Sequence, residues 1–173
     1  MSEAANYSAI QRLSNGSRIE IRAIRPCDQA EMLAAVSQTS PQSLFRRFFA
    51  VKRGFTEQEI AFFTNVDFIN HVALVAVVDQ GGRAVIVGGG RYIIAQPGRA
   101  EVAFAVIDEY QGRGIGSALM RHLAQIARQA RVKELVAEVL PENIAMLRVF
   151  EKSGLRVSTR RESQVVHVTL QLL

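Results

Sequence analysis

Little in this chain could staple it, span a membrane or hold a metal. There is one cysteine in 173 residues, Cys27, so no intramolecular disulfide and no cysteine-based zinc cluster can form. That usage fits a reducing compartment. The three histidines and the acids show no metal-ligand spacing, so no metal is expected. Tryptophan is absent, and no apolar run reaches the roughly 18 residues of a membrane helix. Met1 to Ile10 contains Glu3 and no long apolar core, unlike a signal peptide. The expectation is a soluble, cytoplasmic chain with no membrane partner. A formal charge of +5 and a pI of about 10.0 raise the question of nucleic acid. Yet the cations, among them Arg22, Arg25, Arg46, Arg47, Arg91, Arg113 and Arg128, are scattered rather than gathered in a tract. They read as a solvated surface that attracts anionic ligands, with no nucleic-acid partner expected.

What is present suffices for a core: 49% of residues are hydrophobic and only 21% charged. The length suits one domain. Residues 1–16 are polar and expected to be loosely held, with a single domain over 17–173. Arg18 to Ile24 alternates as a strand. Asp28 is a candidate N-cap for a helix to about Val36. Gln42 to Phe49 and Glu57 to Phe63 read as short helices, the latter opened by Thr56 and Glu59 in capping-box spacing. His71 to Val78, Ala84 to Ile94 and Ala100 to Ile107 form a meander, with Gly88-Gly89-Gly90 marking a bulge or a close neighbour. A helix to about Ala130, a strand Glu134 to Leu140, a helix from Asn143 ended by Gly154, and a strand pair Leu155 to Ser158 and Gln164 to Leu170 complete the order. The class is α/β, a mixed, mostly antiparallel central sheet with flanking helices. Its strand–helix–strand unit should be parallel.

That unit turns through Gln111-Gly112-Arg113-Gly114-Ile115-Gly116-Ser117, three alternating glycines between a strand and a long helix. Glycine admits backbone angles closed to other residues and lets a ligand approach the main chain. The N–H groups at a helix start lack internal partners and sit at the positive end of its dipole. Together they make an anion site, most often for phosphate. The dinucleotide fingerprint fails: its third glycine would fall on Ser117 or Leu119. A P-loop fails too, having no Gly-Lys-Ser/Thr.

Gln111 to Gly116 resembles the Gln/Arg-x-x-Gly-x-Gly/Ala signature of the GNAT superfamily of N-acetyltransferases, and Asn143 to Leu155 resembles its second motif. The resemblance runs from about Arg18 to Leu172. Ile24 to Asp28, Ser40 to Phe49, Asp67 to Val77, Ala100 to Ala103 and Pro141 to Leu147 are similar to the acetyltransferase domain of bacterial protein-lysine acetyltransferases. In that family the domain is often fused to a large regulatory or synthetase-like domain. The resemblance implies an acetyl-CoA co-substrate. Its pyrophosphate would lie on the amides of Gln111, Gly112, Arg113, Gly114, Ile115, Gly116 and Ser117, and its pantetheine arm beside Val106. Asn143 would either bond that arm or serve as a plain N-cap.

Acetyl transfer needs a neutral amine, so lysine, with a free pKa of about 10.4, needs a base or a water relay. Glu101 is the expected general base, at the position the resemblance assigns; burial there would raise its pKa. The Val106 N–H is the expected oxyanion donor, again by resemblance. The family's thiolate-side tyrosine is replaced by Phe150, so another group protonates the thiolate or it leaves unaided. Tyr110 is expected to pack under the turn. His71 reads as structural, His122 as a surface residue, His167 as outward-facing, and Cys27 as inert packing. The expected acceptor is a protein lysine ε-amine. The alternatives are a small amine (polyamine, amino acid or antibiotic) and a non-catalytic CoA sensor. A homodimer is common in the family.

Overall fold

The computed structural model describes residues 2–48 and 54–173. Eight strands form one sheet in the order β1-β2-β3-β4-β5-β6-β8-β7. They are β1 (Ser8–Arg12), β2 (Arg18–Ala23), β3 (His71–Gln80), β4 (Arg83–Gln96), β5 (Arg99–Val106), β6 (Glu134–Val139), β7 (Arg156–Glu162) and β8 (Val165–Gln171). The helices are α1 (Gln29–Ser37), α2 (Pro41–Phe48), α3 (Glu57–Thr64), α4 (Ile115–Gln129) and α5 (Ile144–Glu151). Every neighbouring strand pair is antiparallel except β5 with β6. The α/β class and the parallel unit are therefore as the sequence indicated.

The sheet separates two apolar layers. On one face Val102, Phe104, Leu135, Val168 and Leu170 pack with the buried row of α4, Ala118, Leu119, Leu123 and Ile126. On the other, Ala73, Val75, Val77 and Ile86 meet Met32 and Ala35 of α1. Strand alternation assigns even-numbered residues of β5 to the first face and odd-numbered ones to the second. The glycine triplet serves the first face. A Cβ at Gly90 would come within 2.6 Å of the Phe104 ring, and one at Gly88 within 3.1 Å of the Ala105 carbonyl. A register shift between Ala76 and Val77 marks the bulge opposite Val87.

Several boundaries differ from expectation. The segment before Gly16 is not loose at its middle: Ser8–Arg12 pairs along β2. Its anchor is His122 of α4, whose Nδ1 meets the Tyr7 hydroxyl and whose Nε2 lies 2.7 Å from Gln11 Oε1. His122 is thus a half-buried tie between helix and first strand rather than a surface residue. The Asp28 side chain makes no capping bond to α1. Instead Arg22 donates to both its oxygens, at 2.8 and 2.9 Å, and the Arg25 N–H donates at 2.7 Å. Cys27 is exposed, not packed. β7 runs on through Arg160 to Glu162, beyond the Ser158 end expected from the sequence, because the reversal falls at Ser163, where φ is 55°. The helix expected through Phe49 is described to Phe48; Phe49 lies outside the described residues. Among the described residues no helix is long and apolar enough to cross a membrane.

Candidate active site

The glycine loop forms a helix start with bare amides. Gly114 is the N-cap of α4 with φ 90°, and Gly112 has φ 75°. A Cβ at either would meet nothing within 4 Å, so left-handed backbone, not crowding, requires glycine there. The first helical bond runs from the Ala118 N–H to the Gly114 carbonyl at 3.0 Å. The N–H groups of Ile115, Gly116 and Ser117 therefore precede the helical ladder. Gln111 braces the loop from behind: its Nε2 donates to the Val106 carbonyl at 3.0 Å and to Ser43 Oγ at 3.2 Å. Asp108 Oδ1 accepts from the Ser40 N–H at 3.0 Å, which docks the start of α2 on the same loop. That backbone bond, outweighing burial, holds the Asp108 carboxyl below its usual range, and Ser40, Ser43 and Arg46 add to it.

The second feature is a parting of two strands. β5 and β6 pair only over Arg99–Glu101 and Glu134–Val136. Beyond Glu101, β5 continues to Val106 with no ladder partner on its β6 side. The Ile107 N–H donates to the Val87 carbonyl of β4 at 2.9 Å. Alternation then turns the N–H and C=O of Val106 the other way, into the gap. The Gln111 bond to the Val106 carbonyl confirms that direction. A cavity of about 550 Å³ opens along this gap, lined by β5 from Val102 onward, by the end of β6, by the glycine loop and by α2.

Of the residues singled out in the sequence, Val106, Gln111, Gly112, Gly114, Gly116, Ser117 and Asn143 line this cavity. Ile115 is buried in the core, so only its backbone can serve a ligand. Arg113 stacks its guanidinium 4.6 Å from the Tyr110 ring centroid and donates to the Glu109 carbonyl at 3.0 Å. Asn143 caps α5, accepting from the Met146 N–H at 3.3 Å, while still facing the cavity. Tyr110 also lines the cavity, and its hydroxyl accepts from Gln80 Nε2 at 2.9 Å. Phe150 is buried, its ring 6.2 Å from that of Phe104.

Glu101 is exposed and lies at the last paired position of β5. The burial expected for it is absent: its odd-numbered place turns it away from the α4 core, onto the opposite face, and it stays exposed. Glu138 of β6 stands on that same face, two residues beyond Val136, and does line the cavity. Sequence reasoning passed over it, although Glu134, Val136 and Glu138 alternate in one strand. Arg47 and Arg91 were read as scattered surface charge, yet both line the cavity.

His71 is structural, as expected, and contacts Arg91, which lines the cavity. Its Nε2 lies 2.8 Å from Arg91 Nη1, and the Phe62 ring packs 5.0 Å away. Arginine only donates, so the imidazole accepts and is neutral. Burial, then the Arg91 charge, pulls it down to about 4 against a small opposing pull from Asp67. Asp67 Oδ1 accepts the N–H groups of Ile69, Asn70 and His71, each at 2.9 Å, and so shapes the entrance to β3.

This geometry has known relatives. The family model described as acetyltransferase (GNAT) family matches residues 40–155. The acetyltransferase Pat of Mycolicibacterium smegmatis is 32% identical over 145 residues, covering 83% of this chain and 43% of that protein. The chain thus spans under half the length of that curated relative. The crystal structure of the GNAT domain of S. lividans PAT superposes with a TM-score of 0.86 at 32% identity, covering 95% of this chain and 96% of that one. The structure of YncA, a putative acetyltransferase from Salmonella typhimurium solved with its cofactor acetyl-CoA, shares the fold at a TM-score of 0.69 and 18% identity, over 89% of this chain and 94% of that one. With most of its length inside the family model and nearly all of it superposable on a solved GNAT domain, the chain belongs to the GNAT family of acetyltransferases.

Proposed function

We propose that the chain transfers an acetyl group from acetyl-CoA to an amine, with a protein lysine ε-amine as acceptor. The parting of β5 from β6 beside the bare amides of α4 carries this reading. It supplies a slot for an extended arm, an open N–H at Val106, and an anion cradle at one end. The cradle suits a pyrophosphate, and the strand edge suits the amide-bearing pantetheine. The lysine acceptor rests on the resemblance to the protein-lysine acetyltransferases.

In the reaction the amine nitrogen bonds the thioester carbonyl carbon, the carbon–sulfur bond breaks, and the amine proton is removed. The Val106 N–H would hold the oxygen that gains charge. Glu101, exposed at the edge of the slot, would take the proton directly or through water, with Glu138 the second carboxylate on that face. Phe150 offers no proton to the sulfur, so the thiolate leaves unaided, as a group of pKa about 8.5 can.

Absence of a proton donor at Phe150 also suits a protein that binds CoA without turnover. The rates of Glu101→Gln and Glu138→Gln, set beside their acetyl-CoA affinities, decide between the two. A catalytic base predicts that Glu101→Gln lowers kcat by about 10²-fold or more with affinity within about twofold. Loss of rate in Glu138→Gln alone would move the base to β6. No turnover in the unmodified protein, with CoA still bound, would leave the binding module.

A further inference from the structure

Two cations stand in the cavity wall with no ion-pair partner among the described residues. Arg91 projects from the middle of β4, opposite Ala103 of β5, and Arg47 from the last turn of α2. The Arg47 guanidinium carbon lies 4.6 Å from the centroid of the Phe48 ring, and that of Arg91 lies 4.7 Å from the Phe63 ring. Those two rings are 6.0 Å apart, so both guanidiniums belong to one aromatic patch. Arg91 donates to the Phe63 carbonyl from both terminal nitrogens, at 3.2 Å each, and to His71. These partners are neutral and offset none of its charge. Among the described residues no carboxylate lies within ion-pair distance of either guanidinium. Residues 49–53, Phe-Ala-Val-Lys-Arg in the sequence, contain no acid.

Holding two desolvated like charges together is costly unless an anion joins them. Burial draws Arg47 down to about 10, and burial together with the Arg47 charge draws Arg91 down to about 9. The sheet shows what kind of anion fits. Arg91, Glu101 and Ala103 share the face opposite the α4 core, and Glu101 is the diagonal neighbour of Arg91 across β4 and β5, a spacing of about 7–8 Å. Glu138 stands on the same face. A carboxylate therefore stands on each side of the slot, Glu101 on β5 and Glu138 on β6, and the two cations lie beyond β5, on β4 and α2.

Building on the acetyltransferase reading above, we propose that Arg47 and Arg91 bind a carboxylate carried by the acceptor, close to the amine that is acetylated. The planar guanidinium fork matches a carboxylate in shape and charge, while Glu101 faces the ammonium. The carboxylate has two possible carriers: an Asp or Glu side chain beside a lysine in a protein, or the α-carboxylate of a free amino acid.

Calorimetric titration of the full chain, saturated with CoA, reads this without turnover. The probes are the blocked dipeptides Lys-Glu and Lys-Gln, and free lysine against lysine amide. In one of the pairs the carboxylate-bearing member is expected to bind at least about tenfold more tightly, and that pair identifies the carrier. Arg47→Gln and Arg91→Gln are each expected to bring the ratio to within about twofold of unity. Arg91→Lys, which keeps the cation, should retain part of it and so separates lost charge from lost folding. Equal binding within both pairs, or a ratio that survives in both Gln variants, overturns the proposal. So does a preference for succinyl-CoA over acetyl-CoA that both variants abolish while acceptors are not discriminated, since the cations would then serve the donor. Failure to bind CoA at all would count against the acetyltransferase reading instead, so the two failures are distinct.

Discussion

His71 contacts the cavity-lining Arg91 and the Phe62 ring, and its protonation links that contact to pH. Its folded pKa of about 4 lies below the unfolded value of 6.5. Above pH 6.5 both states are neutral and the His71 contribution to stability is fully present. Between pH 6.5 and 4 the unfolded chain takes the proton first, so stability falls; below 4 both are charged and the loss levels off. Thermal unfolding across that window should show the unmodified protein losing stability more steeply than His71→Gln, by up to about 1.4 kcal/mol per pH unit. Parallel curves would mean that His71 titrates alike in both states. His122, also drawn down by burial and by Arg121, remains in both proteins and cancels. The structural role of His71 was legible in the sequence; its contact with Arg91 was not, since Arg91 reaches His71 only through pairing of β3 with β4. Glu101 shows the same division. Its place on β5 follows from alternation, but its exposure depends on which helices cover that face.

At the scale of elements, the glycine loop and α4 were the most legible part. A strand, positive-φ glycines and an amphipathic helix follow one another locally, and local order leaves a mark in sequence. The N-terminal strand was passed over although its ladder with β2 is local and turns through Asn15-Gly16; only its tie to α4, between Tyr7 and His122, 115 residues apart, leaves no mark. The parting of β5 from β6 was likewise hidden as geometry, being a property of where pairing stops; only the resemblance pointed to it. The loop carries its own prediction. Gly114→Glu should weaken acetyl-CoA at least about tenfold by calorimetry, through left-handed strain of about 1–3 kcal/mol and a carboxylate set where a phosphate belongs. Gly81→Ala is the control: Gly81 also has positive φ, 63°, but lies in the β3–β4 turn, away from the cavity lining. It should leave the affinity within about twofold. Equal affinities for Gly114→Glu and the unmodified protein would remove the loop as the pyrophosphate site.

Over the whole molecule, two layers of helix support one sheet in which β5 and β6 separate beyond Glu101. The donor end of that slot is local and glycine-built. The proposed acceptor end would draw on β4, β5, β6 and α2, elements far apart in sequence, which is why the sequence indicated a donor more readily than an acceptor. The net charge of +5, read at first as general surface attraction, includes two cations drawn into the cavity. The central claim is that this slot moves an acetyl group from CoA to an amine. Incubating the full chain with acetyl-CoA and a panel of lysine peptides and free amines, and measuring free thiol alongside the mass of each amine, tests it most directly. The account predicts thiol release matched one for one by acetylated amine, with lysine peptides among the substrates. Acetyl-CoA left intact, with no amine gaining an acetyl group, would contradict it.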